Sequence, residues 1–211
     1  MSRVLITLGD SWPEGAELGS GLRYGELLHK QMQYDEFYNY GSGGASNEDM
    51  LYQLQSYIAE HHNERKQVTA IFFLTNPART AHFPRFFNWE STADSKIKEL
   101  YMYFHRREHE VMRSSATVST LQAWCATLGF DDYYFSGWVR YPTWLPGVDT
   151  DKIWAQGQQT AADWFDASDH NGEHLINVEN NQYIRPNIAH PNQLGHDLIA
   201  GKLQAWIQSK Q

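Results

Sequence analysis

A single cysteine, Cys125, excludes an intramolecular disulfide in this 211-residue chain. Its neighbours Trp124 and Ala126 make it read as a small buried apolar residue of a helix rather than a reactive thiol. Basic residues are also scarce. Seventeen Lys and Arg against 25 Asp and Glu leave a net charge of −8, which argues against phosphate-backbone binding and against a nucleic-acid partner. No apolar run is long enough to span a membrane. Met1-Ser2-Arg3 passes directly into a strand-like run too short for a signal-peptide core, so a cytoplasmic protein is expected. There is no low-complexity tract and no internal repeat, and the length suits one domain over residues 1–211. Aromatic residues are abundant, with 8 Trp and 12 Tyr. They fit equally a large aromatic core and stacking surfaces for sugar rings or other flat ligands.

Strand-like runs recur at Arg3–Leu8, Glu36–Tyr40, Val68–Thr75 and Tyr133–Phe135, with a weaker one at Leu175–Val178. Helical patterns fall between them. Leu22 to Met32 is one. Asn47–Ile58 is a second, with Met50, Leu51, Leu54, Tyr57 and Ile58 on one face and Ser46 with Asp49 as a capping-box variant. Ser95 to Leu128 is a long helix or helix pair stopped by Gly129, and Asn192 to Ile207 is the last. This alternation predicts an α/β fold, a three-layer α/β/α sandwich around a flavodoxin-like parallel sheet of about five strands in the order 2-1-3-4-5. The apolar run Ala70–Leu74 fits a strand buried on both faces. Two long connections, Pro77 to Asp94 and Gly137 to Gly172, are rich in aromatics and read as ordered loops, the second with a short helix near Lys152–Phe165.

Four short motifs fall where such a sheet gathers its carboxyl-terminal edge. Gly9-Asp10-Ser11 follows the first strand, Gly41-Ser42-Gly43-Gly44 the second and Thr75-Asn76-Pro77 the third, while His190-Pro191-Asn192 precedes the last helix. Each alone is an ordinary turn or cap. Together they supply a coherent chemistry. Ser11 offers a hydroxyl nucleophile and His190 a base to take its proton. The amides of Ser11 and Gly44 and the Asn76 side chain offer donors to an oxyanion.

With those residues in hand, the chain resembles the SGNH-type hydrolases, also called GDSL esterases and lipases. Gly9-Asp10-Ser11 resembles the first block of that family, Asn39 through Ser46 the second, Leu74-Thr75-Asn76 the third, and His190-Pro191-Asn192-Gln193-Leu194-Gly195-His196 the last. The resemblance covers nearly the whole chain. It implies the three-layer fold, hydrolysis of ester or thioester bonds without a metal or organic cofactor, Ser11 as nucleophile, His190 as base, and Gly44 and Asn76 in the oxyanion hole.

Two departures stand out. Pro77 follows Asn76 where the family usually has Asp. The family also places an Asp three residues before the histidine, and here that residue is Asn187. An Asn carbonyl can accept the His Nδ1–H and fix the tautomer, but it brings no charge to the imidazolium. Asn187 is therefore one candidate for orienting His190. A dyad, an acid from Asp166, Asp169 or Glu173, and a weakened site on a carbohydrate-binding or structural protein are the others. The substrate expected is a small-molecule or carbohydrate ester with a short acyl chain, such as a sugar O-acetyl ester; the oligomeric state is not legible.

Other signals carry less. His105-Arg106-Arg107-Glu108-His109 matches an H-x-x-E-H metal-hydrolase pattern, a lesser alternative without an identifiable third ligand. Gly19-Ser20-Gly21 lacks dinucleotide spacing, and Glu14 and Glu17 beside it would repel a phosphate. His61-His62 reads as a helix end, His82 as an exposed loop residue and His196 as a helix-face residue.

Overall fold

A computed structural model describes residues 1–15, 17–63, 65–77, 79–82, 85–87, 107–141, 143–168, 178–186 and 189–211. Along these residues the order is β1 (Ser2–Leu8), α1 (Ser11–Glu14), α2 (Tyr24–Met32), β2 (Glu36–Asn39), α3 (Asp49–His61) and β3 (Lys66–Leu74). There follow β4 (Thr80–His82), β5 (Arg85–Phe87), α4 (Arg107–Leu128), β6 (Asp131–Ser136), α5 (Ala161–Trp164), β7 (Ile184–Arg185), β8 (His190–Pro191) and α6 (Gln193–Lys210).

Among the described residues the main sheet has four parallel strands in the order β2-β1-β3-β6. This is the expected order through its fourth member. Most of the expected fifth strand, Leu175–Val178, lies outside the described residues, and Val178 itself opens a 3₁₀ turn, Val178–Asn180.

Strand alternation sends successive side chains to opposite faces, and both faces here are apolar. Leu5, Ile71, Phe73, Tyr133 and Phe135 enter one core with Leu28 of α2 and Ile199, Leu203 and Ile207 of α6. Their neighbours Val4, Ile6, Leu8, Phe72 and Tyr134 enter a second core with Leu54 of α3 and Leu121 and Cys125 of α4. The two cores make the three layers, and they fill both sides of the strands whose ends carry the motifs. Burial pushes the Cys125 thiol well above its ordinary pKa, so it stays protonated as a packing residue.

Local signals set the element ends, with two shifts. Gly129 adopts the left-handed conformation (φ 69°) after Leu128, and Phe130 N donates back to Cys125 O at 2.8 Å, closing α4. Helix α3 starts later than expected, with Glu48 in the cap position. The Asp49 carboxylate accepts from both the amide and the hydroxyl of Ser46 at 2.7 Å, so only the return half of the expected capping box forms. The long connection after β6 is tied down. Gln122 of α4 exchanges two hydrogen bonds with the Asp149 backbone (2.8 and 2.9 Å), and Lys152 pairs with buried Asp132 at 2.5 Å. Its Trp154 and Trp164 pack edge to face at 4.8 Å, and Trp154 meets Trp206 of α6 at 5.4 Å. These tryptophans therefore serve the core. The expected helix near Lys152–Phe165 resolves into a 3₁₀ turn, Thr150–Lys152, a kink with Ala155 and Gln156 at positive φ (44° and 54°), and then α5.

Candidate active site

The site is built from the carboxyl ends of β1, β2 and β3 and from the approach to α6. Behind β1, Gly9 sits at φ +135°, and a Cβ there would lie 2.8 Å from both Cβ and O of Phe73; only glycine passes this close to β3. The Gln53 side chain of α3 clamps Gly9 both ways, accepting from its amide at 2.8 Å and donating to its carbonyl at 2.9 Å. Asp10 then caps α1 by accepting from Trp12 N at 3.0 Å, which fixes Ser11 as the first helical residue. Trp12 anchors the turn, fully buried against Phe73, Trp138 and Phe165.

The glycine loop after β2 lies against this turn. Ser42 N donates to Gly9 O at 3.0 Å, and Asn39 Nδ2 donates to Pro13 O at 2.7 Å. A Cβ on Gly43 would stand 4.0 Å from Ser11 Cβ and 2.9 Å from Glu14 Oε2, so the loop passes directly beside the serine. Gly44, at φ 80°, follows it. The third loop is held from below. Buried Asn47 accepts from Thr75 N at 2.9 Å and donates to the Tyr141 hydroxyl at 2.8 Å, and that hydroxyl donates to Thr75 O. Asn76 follows Thr75. Pro77, where the resembled family has Asp, accepts from Arg113 Nη2 of α4 through its carbonyl at 2.6 Å.

His190 arrives on β8, paired with Arg185 of β7, after a left-handed turn at Ala189 (φ 53°). Asn192 caps α6 by accepting from Gly195 N at 3.2 Å. The structure brings Ser11 and His190 together, with Oγ and Nε2 3.1 Å apart.

On the other side of the ring, Nδ1 lies 2.7 Å from Glu17 Oε1. Sequence reasoning did not find Glu17 for this position. A carboxylate only accepts, so Nδ1 carries the proton and Nε2 of the neutral ring is left to accept from the Ser11 hydroxyl. Partial burial alone would raise the Glu17 pKa, but a backbone hydrogen bond, the His190 contact and charge, and the nearby Arg185 outweigh it, and the carboxyl lies below its ordinary range. Arg185 also donates to Glu17 O at 3.0 Å, fixing the segment that presents the acid. The one available signal was position: Glu17 follows Ser11 by six residues, and Gly15, left-handed at φ 54°, turns the chain back between them.

Asn187 lies outside the described residues, as do Asp169 and Glu173. Asp166 is exposed in the turn after α5. His196 is a helix-face residue, as expected, on the inner face of α6. It is buried, stacks on Tyr24 at 5.8 Å and accepts from Tyr24 N through Nδ1 at 3.0 Å. His61 ends α3, as expected, and stacks on Tyr38 at 4.1 Å. His105 lies outside the described residues, Glu108 and His109 are exposed at the start of α4, and no three His, Cys, Asp or Glu side chains among the described residues are grouped to hold a metal. A polar cavity of about 520 Å³, lined by Arg3, Tyr34, Gln67, Thr69, Asp131 and Tyr133, opens at the opposite, amino-terminal edge of the sheet. No helix among the described residues is long and apolar enough to cross a membrane.

No family model matches the chain, and no curated protein matches it in sequence. Solved structures do match over nearly its whole length. One is a protein assigned to the G-D-S-L lipolytic family from Desulfitobacterium hafniense DCB-2, at 11% identity and a TM-score of 0.55, covering 96% of this chain and 98% of that one. Another is LAE5, an alpha/beta hydrolase enzyme from the metagenome of Lake Arreo, Spain, at 16% identity and 0.52, covering 99% and 97%. A third is the psychrotrophic esterase EstA of a Pseudoalteromonas species, inhibited by monoethylphosphonate, at 13% identity and 0.51, covering 98% and 97%. The chain has the fold of the G-D-S-L lipolytic proteins, the SGNH-type architecture its motifs resemble.

Proposed function

We propose that residues 1–211 form a single-domain serine ester hydrolase in which Ser11, His190 and Glu17 act as nucleophile, base and acid. The observation that carries this reading is the continuous relay from Ser11 Oγ to His190 Nε2 (3.1 Å) and from His190 Nδ1 to Glu17 Oε1 (2.7 Å). In the first step Ser11 Oγ attacks the ester carbonyl carbon while Nε2 takes the hydroxyl proton. The charge that develops on the carbonyl oxygen is met by the amides of Ser11 and Gly44 and the side chain of Asn76, the three groups at the ends of β1, β2 and β3. The imidazolium gives its proton to the leaving alcohol; His190 then takes a proton from water as it attacks the acyl-serine carbonyl, and the imidazolium returns that proton to Ser11 Oγ as the Oγ–acyl bond breaks and the carboxylic acid leaves. Glu17 holds the tautomer throughout and stabilises the imidazolium by charge.

A charged partner at Nδ1 favours a working enzyme over an impaired binding protein, because the doubt raised by Asn187 concerned the missing charge. In this reading Asn187 needs no catalytic role. Among the described residues, charged groups adjoin the relay: Glu17 contacts His190, Arg185 donates to Glu17 O and Arg79 donates to Asp10 beside Ser11, which supports a short-acyl, polar ester such as an O-acetylated sugar. Hydrolysis of p-nitrophenyl acetate and p-nitrophenyl octanoate, with Ser11→Ala beside the unmodified protein, tests the reading. The acetate ester should turn over faster, Ser11→Ala should fall to background, and a fluorophosphonate should label Ser11. Equal rates for the two proteins would sink the serine mechanism.

A further inference from the structure

Arg79 has no place in the relay, yet its guanidinium meets all three loops that make the site. It lies three residues beyond Asn76 in a turn closed by its own amide, which donates to Asn76 O at 3.0 Å. Arg113 of α4 holds that turn through the carbonyls of Pro77 (2.6 Å) and Arg79 (3.3 Å). Arg79 Nη1 donates to Asp10 Oδ2 at 2.6 Å and to Thr75 Oγ1 at 2.7 Å, and it reaches Ala45 O at 3.5 Å. The Thr75 hydroxyl donates to the same Asp10 oxygen at 2.7 Å, and the guanidinium lies 5.8 Å from the centre of the Trp138 ring. The side chain is only 15% exposed and Asp10 is fully buried, so these bonds form with little water to compete.

Each acceptor is the sequence neighbour of one oxyanion donor. Asp10 precedes Ser11, Ala45 follows Gly44, and Thr75 precedes Asn76. The three loops leave three different strands, and donors to a developing charge must hold their spacing to within about 0.5 Å. All three contacts converge on one nitrogen, Nη1, which the planar guanidinium, 5.8 Å from the Trp138 ring centre, holds at a fixed point between the loops; a lysine ammonium on its flexible stem is not held there in the same way.

We propose that Arg79 is a positioning residue that sets the spacing of the three oxyanion donors. This rests on the serine-hydrolase reading above. A residue that merely neutralised buried Asp10 could be replaced by lysine without kinetic effect; one that sets geometry could not.

The experiment compares kcat and KM for p-nitrophenyl acetate, and inhibition by an aryl trifluoromethyl ketone, in the unmodified protein, Ser11→Ala, Arg79→Met and Arg79→Lys. Arg79→Met should lose on the order of 10²-fold in kcat with KM changed less than about threefold, as when an oxyanion donor is removed. Arg79→Lys, which leaves Asp10 a cation, should keep its thermal midpoint yet lose about tenfold in kcat and a similar factor in ketone affinity. The pH dependence of both variants should match the unmodified protein, since the relay is untouched. An Arg79→Lys protein with unaltered kcat and ketone affinity would overturn the proposal, as would a loss carried by KM or by a displaced pH profile. If Arg79→Met does not fold, Arg79→Lys decides. Equal turnover by the unmodified protein and Ser11→Ala would instead overturn the functional reading and this inference with it, and the Ser11 arm shows that separately.

Discussion

At the scale of single residues, the proposed mechanism makes the group facing His190 Nδ1 decide how strongly Ser11 is activated. A carboxylate lowers the cost of forming the imidazolium as the proton leaves Ser11; an amide carbonyl fixes the tautomer only. Glu17 makes that contact at 2.7 Å, within the range of a charge-assisted bond, and its depressed pKa keeps it ionised through the weakly acidic range. Glu17→Gln should therefore lower kcat for p-nitrophenyl acetate on the order of 10⁴-fold, as expected when a triad carboxylate becomes an amide, with little change in fold stability. Asn187→Ala should leave kcat unchanged. The opposite pattern, a silent Glu17→Gln and a crippled Asn187→Ala, would return the orienting role to Asn187. The placement of Ser11 and His190 at element ends was legible because each sits in a motif whose offset from a strand or helix end is local. The contact of Glu17 with His190 was not, because it depends on the turn at Gly15 meeting a hairpin 173 residues later in the chain, and no pattern along the sequence encodes that meeting.

At the scale of elements, the strands were legible to within two residues wherever they were apolar on both faces, since burial of β1 and β3 leaves a continuous hydrophobic run. The tethers between elements were less so. Asn47 reads as the first residue of a helix, yet it lies before α3 and ties the β3 loop to α4 and to Tyr141. It donates to the Tyr141 hydroxyl at 2.8 Å and contacts Ser114 Oγ at 3.4 Å, while its carbonyl takes the amide of Thr75 at 2.9 Å. The signal was absent because polar side chains make such bonds to whatever the fold brings near, with no periodicity to betray them. Asn47→Ala leaves the buried Thr75 amide without an acceptor and should cost about 2 kcal/mol in urea unfolding. Asn76 hangs on the same loop, so kcat should fall while Ser11 still takes a fluorophosphonate label. A variant as stable as the unmodified protein would show that the tether contributes nothing.

Across the whole molecule, the two aromatic cores bury groups that composition alone left ambiguous, and one of them links folding to pH. His196 sits in the core between α2 and α6, its ring stacked on Tyr24 and its Nδ1 occupied by the Tyr24 amide. Burial disfavours its charged form and depresses its pKa from 6.5 to about 4; the nearby Glu17 charge opposes this, and Arg185, His190 and Arg23 reinforce it. Above pH 6.5 the ring is neutral whether the chain is folded or not, and His196 contributes no pH dependence. As pH falls below that value, the unfolded chain binds a proton that the folded site refuses, so stability declines. The decline continues until the folded site itself titrates near pH 4, and the gap between about 4 and 6.5 corresponds to about 3 kcal/mol. His196→Asn keeps an acceptor for the Tyr24 amide but cannot titrate. Its urea-unfolding free energy should start lower at pH 7, for lost stacking, and then fall less steeply than that of the unmodified protein toward pH 4.5. Parallel declines in the two proteins would place the acid sensitivity elsewhere in the fold.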